Sequence, residues 1–463
     1  MSVDIKTKNA LELIAIGTLL QLLISQAMAD SFVPGPYIGR TVPVVKTDVR
    51  ELGCADCWPT PRILAVVDFN NDGTDEIVLS MDAADSELLS TNVPLPILFY
   101  SLDGKPYSGI SDRPKRVLAR EAVVADFNGD GILDLFIAAA GLDIPPYPGE
   151  QNVLFLSQPD GNHTDVSSSH LPQMSDFAHG GAAADIDGDG DVDLMVITNG
   201  SGGTARVPNY FLLNSGDGTF IFSEGRNHLP KGLPRKVNTF LTARFADMNN
   251  DGVLDLLMAG EGKNGAQSRI IYGTGTGKFT DTVELPRSTY GKKTHTTDID
   301  VVDLNADGLQ DLVLSNSTQV NGVDFRGIQI QILIQRSDGS FQDETNQRSW
   351  DQFGQKADYL LFPENTMMVD LNDDTHLDAV IQSFNPIWRN RPDDTPAHIA
   401  LNDGLGNFKA VEPQWLSRQG WVWWEILPLQ IKGKTRLVGM TLDGVGEEYG
   451  EFRPIGHSVY LFE

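Results

Sequence analysis

Three observations in the sequence predict an all-β fold, a seven-bladed β-propeller with ring closure by an N-terminal strand. An acidic nine-residue loop returns at intervals of 56 to 67 residues. Short alternating apolar runs flank each copy. The two ends of the chain each hold part of one further unit. Recurrence on such a period marks repeat architecture and has to be read before any single motif.

The loops come in order as DFNNDGTDE from Asp68, DFNGDGILD from Asp126, DIDGDGDVD from Asp185, DMNNDGVLD from Asp247, DLNADGLQD from Asp303 and DLNDDTHLD from Asp370. A seventh unit is visible in LPLQIKGKTRLV, residues 427–438. There Pro428 stands where the sixth loop has Asp370, and Lys432 and Arg436 replace two carboxylates. The period persists in this unit while the acidic chemistry is lost.

Each acidic loop offers side-chain oxygen at positions 1, 3, 5 and 9. These are Asp68, Asn70, Asp72 and Glu76; Asp126, Asn128, Asp130 and Asp134; Asp185, Asp187, Asp189 and Asp193; Asp247, Asn249, Asp251 and Asp255; Asp303, Asn305, Asp307 and Asp311; Asp370, Asn372, Asp374 and Asp378. Position 6 is Gly except in the sixth loop, where it is Thr375. Alternate carboxylates around a sharp turn suit a hard cation that takes six to eight oxygens, and calcium fits better than magnesium. Without a counter-ion such carboxylates repel. The plain alternative for one isolated copy is a solvated acidic turn; six copies favour the cation. The loops are not EF-hands, because position 12 is apolar throughout (Leu79, Ile137, Val196, Met258, Leu314, Ile381). Apolar residues at positions 10 and 12 have a period of two, so a strand leaves each loop. AVVAD before Asp126 shows that a strand enters as well.

Most units continue with two more short runs around a Gly-rich tip, as in YFLLNSGDGTF and HIALNDGLGNF, which read as hairpins. Four antiparallel strands per unit, repeated with short edges, make a propeller. The chain ends on SVYLFE, residues 458–463, which matches a third strand with no fourth. A strand near Tyr37–Val45 is expected to supply the missing outer strand and close the ring.

The motif D-x-[DN]-x-D-G-x-x-D on this period resembles the FG-GAP or VCBS repeat family, whose best-known members are the propellers of integrin α subunits. The resemblance covers about residues 60–463. It implies a propeller with calcium between the first and second strands of a blade, at the loop residues named above. It implies little about activity, since one scaffold hosts many functions.

The expected organisation is a signal peptide at 1–29, a closing-strand and Cys-x-x-Cys segment at 30–60, and the propeller at 61–463. Lys6 and Lys8 precede LELIAIGTLLQLLI, and Ala27-Met28-Ala29 resembles a cleavage site. Export places the protein in a secreted, periplasmic or cell-surface setting, with no transmembrane span in the mature chain. Cys54 and Cys57, the only cysteines, then read as a local disulfide, with free thiols or a redox pair as the alternatives. The net charge of −28 opposes nucleic acid as a partner. Nineteen of the carboxylates responsible lie at the loop positions named above.

Calcium in such loops reads as structural, so a ligand belongs on the opposite face. The candidates there are Tyr147, His179, Tyr290, His295, Trp388, Arg389, Arg391, Trp421, Trp423, Tyr449, Arg453 and His457. Aromatic rings beside Arg suit sugars or a partner protein. Packing between blades is the plain alternative for each ring. The function expected is a calcium-stabilised binding module for carbohydrate or protein. The alternatives are a polysaccharide lyase with a His/Tyr/Arg cleft, such as Tyr290, His295 and Arg453, or a purely structural surface protein. No compact catalytic signature is present.

Overall fold

The computed structural model describes residues 41–48, 60–82, 95–102, 115–116, 118–142, 146–198, 207–233, 240–260, 267–288, 294–320, 323–348, 355–356, 362–384, 397–411, 423–448 and 451–462. It is an all-β propeller. In each of the first six repeats an antiparallel hairpin spans the acidic loop, and further strands add outward. The third repeat runs Ala178–Ala184, Asp193–Thr198, Tyr210–Asn214 and Phe220–Glu224 in that spatial order.

The expectation of seven complete blades is corrected. Among the described residues, six sheets have four strands or more, and the sheet of the first repeat stops at three: Thr60–Val67, Glu76–Asp82 and Leu98–Tyr100. The segment positioned to add its outer strand, Lys115–Arg116, pairs instead with Leu95–Pro96. The first strands of successive repeats touch in chain order. Trp423–Ile431 of the last repeat returns to Thr60–Val67, so six full blades and this shorter sheet make the ring. The N-terminal strand Thr41–Asp48 does pair with the last strand, from Thr41 opposite Phe462 to Asp48 opposite Gly456. It forms the outer edge of the terminal sheet and covers what would be an open strand edge.

The core lies between blades. Phe127, Phe136 and Leu154 of the second repeat interlock with Leu194, Val196 and Tyr210 of the third. Equivalent clusters join the third and fourth repeats, the fourth and fifth, and the fifth and sixth. Each fully buried Leu, Val or Phe contributes about 1.5–3 kcal/mol relative to exposure. Inter-sheet burial therefore sets the positions of the loops at one end and the strand starts at the other. Among the described residues, no helix is long and apolar enough to cross a membrane.

Candidate functional site

All six loops fold alike. In the second, Asp126 Oδ1 accepts Gly129 and Asp130 N–H at 2.8 and 3.2 Å, and its Oδ2 accepts Gly131 N–H at 2.8 Å. Asn128 Oδ1 accepts Asp130 N–H, and Asp130 Oδ1 accepts Ile132 N–H. The sixth loop keeps the pattern despite its missing glycine. Thr375 donates to Asp370 Oδ2 at 2.8 Å, but it holds φ +73°, where a β-branched residue is strained.

Position 9 differs from the rest. Asp134, Asp255, Asp311 and Asp378 are 0% exposed, and Asp193 and Glu76 nearly so. In loops two to six, Oδ2 accepts an N–H from position 2, and Oδ1 accepts one from the end of the third strand. Those second donors are Ser157, Asn214, Gly273, Gln335 and Asn402, at 2.7–2.9 Å. This carboxylate thus joins the loop to its own blade while keeping lone pairs free. Burial, with nearby loop aspartates adding, raises the carboxyls of Asp134, Asp193 and Asp311 to about 6 and that of Asp378 to about 7.

The third loop, with aspartate at all four ligand positions, brings ligand oxygens of Asp185, Asp187 and Asp193 within 4.8 Å of one another. Asp187 Oδ1 is buried and has no hydrogen-bond partner. A buried orphan oxygen among carboxylates fits a bound cation, which supplies the missing partner.

A second charged group lies at the ring axis. Glu121 of the second repeat accepts from Arg244 Nη1 at 3.0 Å, and Arg244 Nη2 meets Asp298 Oδ1 of the fifth repeat at 2.6 Å. Asp298 Oδ2 then accepts Thr366 N–H of the sixth at 3.3 Å. The third repeat lies between, and Gly180 and Gly181 leave room for the Glu121 carboxylate to pass. A Cβ on Gly180 would meet Glu121 Oε2 at 2.2 Å and the Leu241 carbonyl at 3.1 Å. Gly180→Ala is therefore expected to break this strap and lower stability by about 1–3 kcal/mol, measured by denaturant unfolding. Burial raises the Glu121 carboxyl against the pull of Arg244. The Asp300 carboxyl is also raised, by burial and by Asp298.

Five first strands carry a β-bulge at one repeat position, with register shifts at Ala119/Glu121, Ala178/Gly180, Phe240/Thr242, Thr296/Asp298 and Pro363/Asn365. The extra residues are Arg120, His179, Leu241, Thr297 and Glu364, each six residues before the first loop aspartate. Arg62 occupies that position in the first repeat, although the bulge there falls at Leu64. Bulges re-aim side chains and are common beside binding sites. Arg62, Arg120 and His179 occupy one sequence-equivalent position of three consecutive repeats, roughly 20 Å along the strand from the acidic loops, and both guanidinium charges reach the His179 imidazole. His179 Nδ1 donates to the Leu241 carbonyl at 3.2 Å, so Nε2 keeps its lone pair. Burial, then the Arg120 and Arg62 charges, lower its pKa to about 3.

Of the other expected face residues, Tyr147 is partly exposed at φ +49° and packs edge-on against Phe177. His295 is 2% exposed within its own sheet, opposite Ser317, away from any open surface. Trp423, Arg453 and His457 lie in strands of the terminal sheet, opposite Thr441, Gly446 and Leu442. Tyr290, Trp388, Arg389, Arg391, Trp421 and Tyr449 fall outside the described residues, as do Cys54, Cys57 and residues 1–29. Sequence reasoning missed Arg62 and Arg120. Aligning the repeats six residues before each first loop aspartate is the signal that finds them.

Residues 126–196, 185–258 and 247–314 match the FG-GAP-like repeat family. No curated protein matches the chain. Among solved structures, an ulvan lyase of a polysaccharide lyase family, bound to -[GlcA(1-4)Rha3S]-, superposes with TM-score 0.45 and 11% identity over 91% of this chain and 96% of that one. A second structure titled as an ulvan lyase gives TM-score 0.46 and 12% identity over the same shares. Scores at this level carry no function across.

Proposed function

We propose that this protein is a calcium-stabilised propeller that binds an anionic saccharide at the arc formed by Arg62, Arg120 and His179. The observation that carries the reading is the placement of these three groups at one equivalent position of three adjacent repeats. Two guanidiniums form a carboxylate or sulfate site, because their planar N–H groups bind such oxygens in pairs. The acidic loops, which hold nineteen of the carboxylates, are well over a Debye length away at physiological salt, so they do not cancel the local attraction. Calcium would be held by the residues at positions 1, 3, 5 and 9 of the loops, where it neutralises clustered carboxylates and holds each hairpin.

A second reading, cleavage of the bound saccharide by elimination, is favoured by the tautomer of His179. Its Nε2 is positioned as an acceptor while Nδ1 is fixed on the Leu241 carbonyl. In a uronic acid, paired guanidiniums stabilise the charge that develops on the carboxylate as the neighbouring C–H is deprotonated. Nε2 takes that proton. The electron pair forms a C=C bond, and the glycosidic C–O bond breaks, with the departing oxygen taking a proton from water. His179 at a pKa of about 3 is a weak base. A bound carboxylate offsets the two guanidinium charges and moves the imidazole toward a useful value.

Incubation of calcium-loaded protein with neutral and uronic-acid polysaccharides, followed by mass spectrometry, tests both readings. Binding restricted to acidic chains is expected, and unsaturated oligosaccharides establish the lyase. Equal affinity for neutral chains overturns the anionic site.

A further inference from the structure

Tyr147 is the one aromatic residue at positive φ among the described residues. Asn71, Asn250, Ala306, Asp373 and Thr375 share that backbone region, but all five sit in acidic loops. Lys432 shares it in the turn between Trp423–Ile431 and Lys434–Glu448. Tyr147, at φ +49°, belongs to neither setting. A bulky side chain there is a strained outlier, and such strain persists only where the surroundings over-determine it.

The surroundings of Tyr147 do so. The segment 141–150 is closed at its neck. Gly141 N–H donates to Glu150 Oε1 at 3.1 Å, and a Cβ on Gly141 would meet the Gly149 carbonyl at 2.8 Å. Glu150 then ties the neck to two blades. Its Oε1 also accepts the N–H of Leu118, two residues before Arg120, at 3.1 Å. Its backbone exchanges hydrogen bonds of 2.9 and 3.2 Å with Asp176, three residues before His179. Asp176 is held in turn: its carboxylate accepts Tyr210 O–H at 2.6 Å and Asn152 Nδ2–H at 3.3 Å, and all three residues are buried. Gln151 Oε1 adds a bond from Met174 N–H at 2.8 Å.

Tyr147 lies three residues before this clamp and meets Phe177, itself two residues before His179. The ring centroids are 5.7 Å apart and the planes stand at 89°. Perpendicular rings leave at least one face of Tyr147 uncovered by Phe177. Phe177 is buried and Tyr147 is partly exposed, so the accessible ring is that of Tyr147. The neck is thus fixed beside the strand starts that carry Arg120 and His179, and the ring stands at the second of them.

We infer that Tyr147 is a stacking platform for a sugar ring of the saccharide held at Arg62, Arg120 and His179. The inference rests on the reading of those groups as an anionic-saccharide site. A pyranose presents C–H groups on its faces, and these pack on an aromatic face while its hydroxyls remain in water. A ring fixed before binding loses little further freedom, which is what the clamped neck provides.

Calorimetry of a uronic-acid tetrasaccharide with the full chain tests the platform. Tyr147→Phe keeps the ring face and is expected to bind within about twofold of the parent. Tyr147→Gly and Tyr147→Leu remove the face and should bind about tenfold more weakly, as when an anchoring aromatic is lost. Glycine takes φ +49° without strain, so Tyr147→Gly should unfold close to the temperature of the parent. Tyr147→Leu keeps an apolar side chain against Phe177 and reads the affinity should glycine loosen the loop. Parent-like affinity in Tyr147→Leu or Tyr147→Gly overturns the platform and leaves the anionic site standing. An equal loss in Tyr147→Phe assigns the contact to the hydroxyl and overturns stacking. A parent that does not bind the tetrasaccharide overturns the anionic-site reading and the platform with it.

Discussion

Calcium is expected to raise the midpoint of thermal unfolding on the order of 10 °C, and to raise it more at pH 8 than at pH 5. The size follows from mass action. A site filled at one hundred times its dissociation constant adds about 2.7 kcal/mol, and six loops share the fold. The pH dependence follows from position 9. The carboxyls of Asp134, Asp193 and Asp311 sit at about 6 and that of Asp378 at about 7, against the ordinary value of 3.8. A carboxyl raised on folding favours the folded state fully below its unfolded pKa, and that contribution is lost as pH rises through the folded pKa. The cation-free protein therefore weakens between about pH 4 and 7 through these groups. Calcium binds the ionised form, so its stabilisation grows over the same window. Differential scanning fluorimetry with calcium or chelator at both pH values makes the comparison. A calcium shift that is equal at both, or larger at pH 5, removes position 9 from the metal reading.

The loops were legible in the sequence because cation chemistry needs several oxygens at fixed short spacing, and six copies preserve it. The strand order followed from the period-two runs beside them, and the pairing of the N-terminal strand from the missing strand after SVYLFE. The blade count was not legible. Lys115–Arg116 could have extended the first sheet, and only tertiary context decides that it meets Leu95–Pro96. His295 was misplaced for a related reason. YGKKTHTTD reads as a loop leading into a first strand, but His295 lies within strand Thr294–Val302 at 2% exposure. Bulges are invisible to a strict period of two, since one inserted residue changes which side chains face the axis. For that reason FAHGG exposes His179 to sequence reading, while a strict period of two singles out neither Arg62 nor Arg120. The Glu121–Arg244–Asp298 strap was beyond sequence reading altogether. Its partners lie 123 and 54 residues apart in the chain, and Gly180 matters only because a third strand lies between them.

Replacing Arg120 by Ala is expected to weaken binding of a uronic-acid oligosaccharide by about 10- to 100-fold, with neutral saccharides unaffected. Loss of one charge-assisted, paired contact to a carboxylate costs about 1.5–3 kcal/mol, and each 1.4 kcal/mol is tenfold. His179→Ala should behave differently. It removes no formal charge, because burial and then the guanidiniums keep the imidazole neutral, so it leaves affinity within a few-fold and abolishes any unsaturated product. Titration of His179 by NMR separates the two roles without turnover. Its pKa, about 3 in the free protein, should rise when the anion binds, because the carboxylate offsets Arg120 and Arg62. In Arg120→Ala it should start higher and move less on adding ligand. Calorimetry, product analysis and this titration thus read three consequences of one arrangement. If Arg120→Ala binds acidic saccharide as tightly as the parent while its unfolding midpoint is unchanged, the ligand is held elsewhere and the arc is a structural feature of the bulged strands. A His179 pKa that ignores a demonstrably bound anion removes the imidazole from the site, and with it the elimination chemistry.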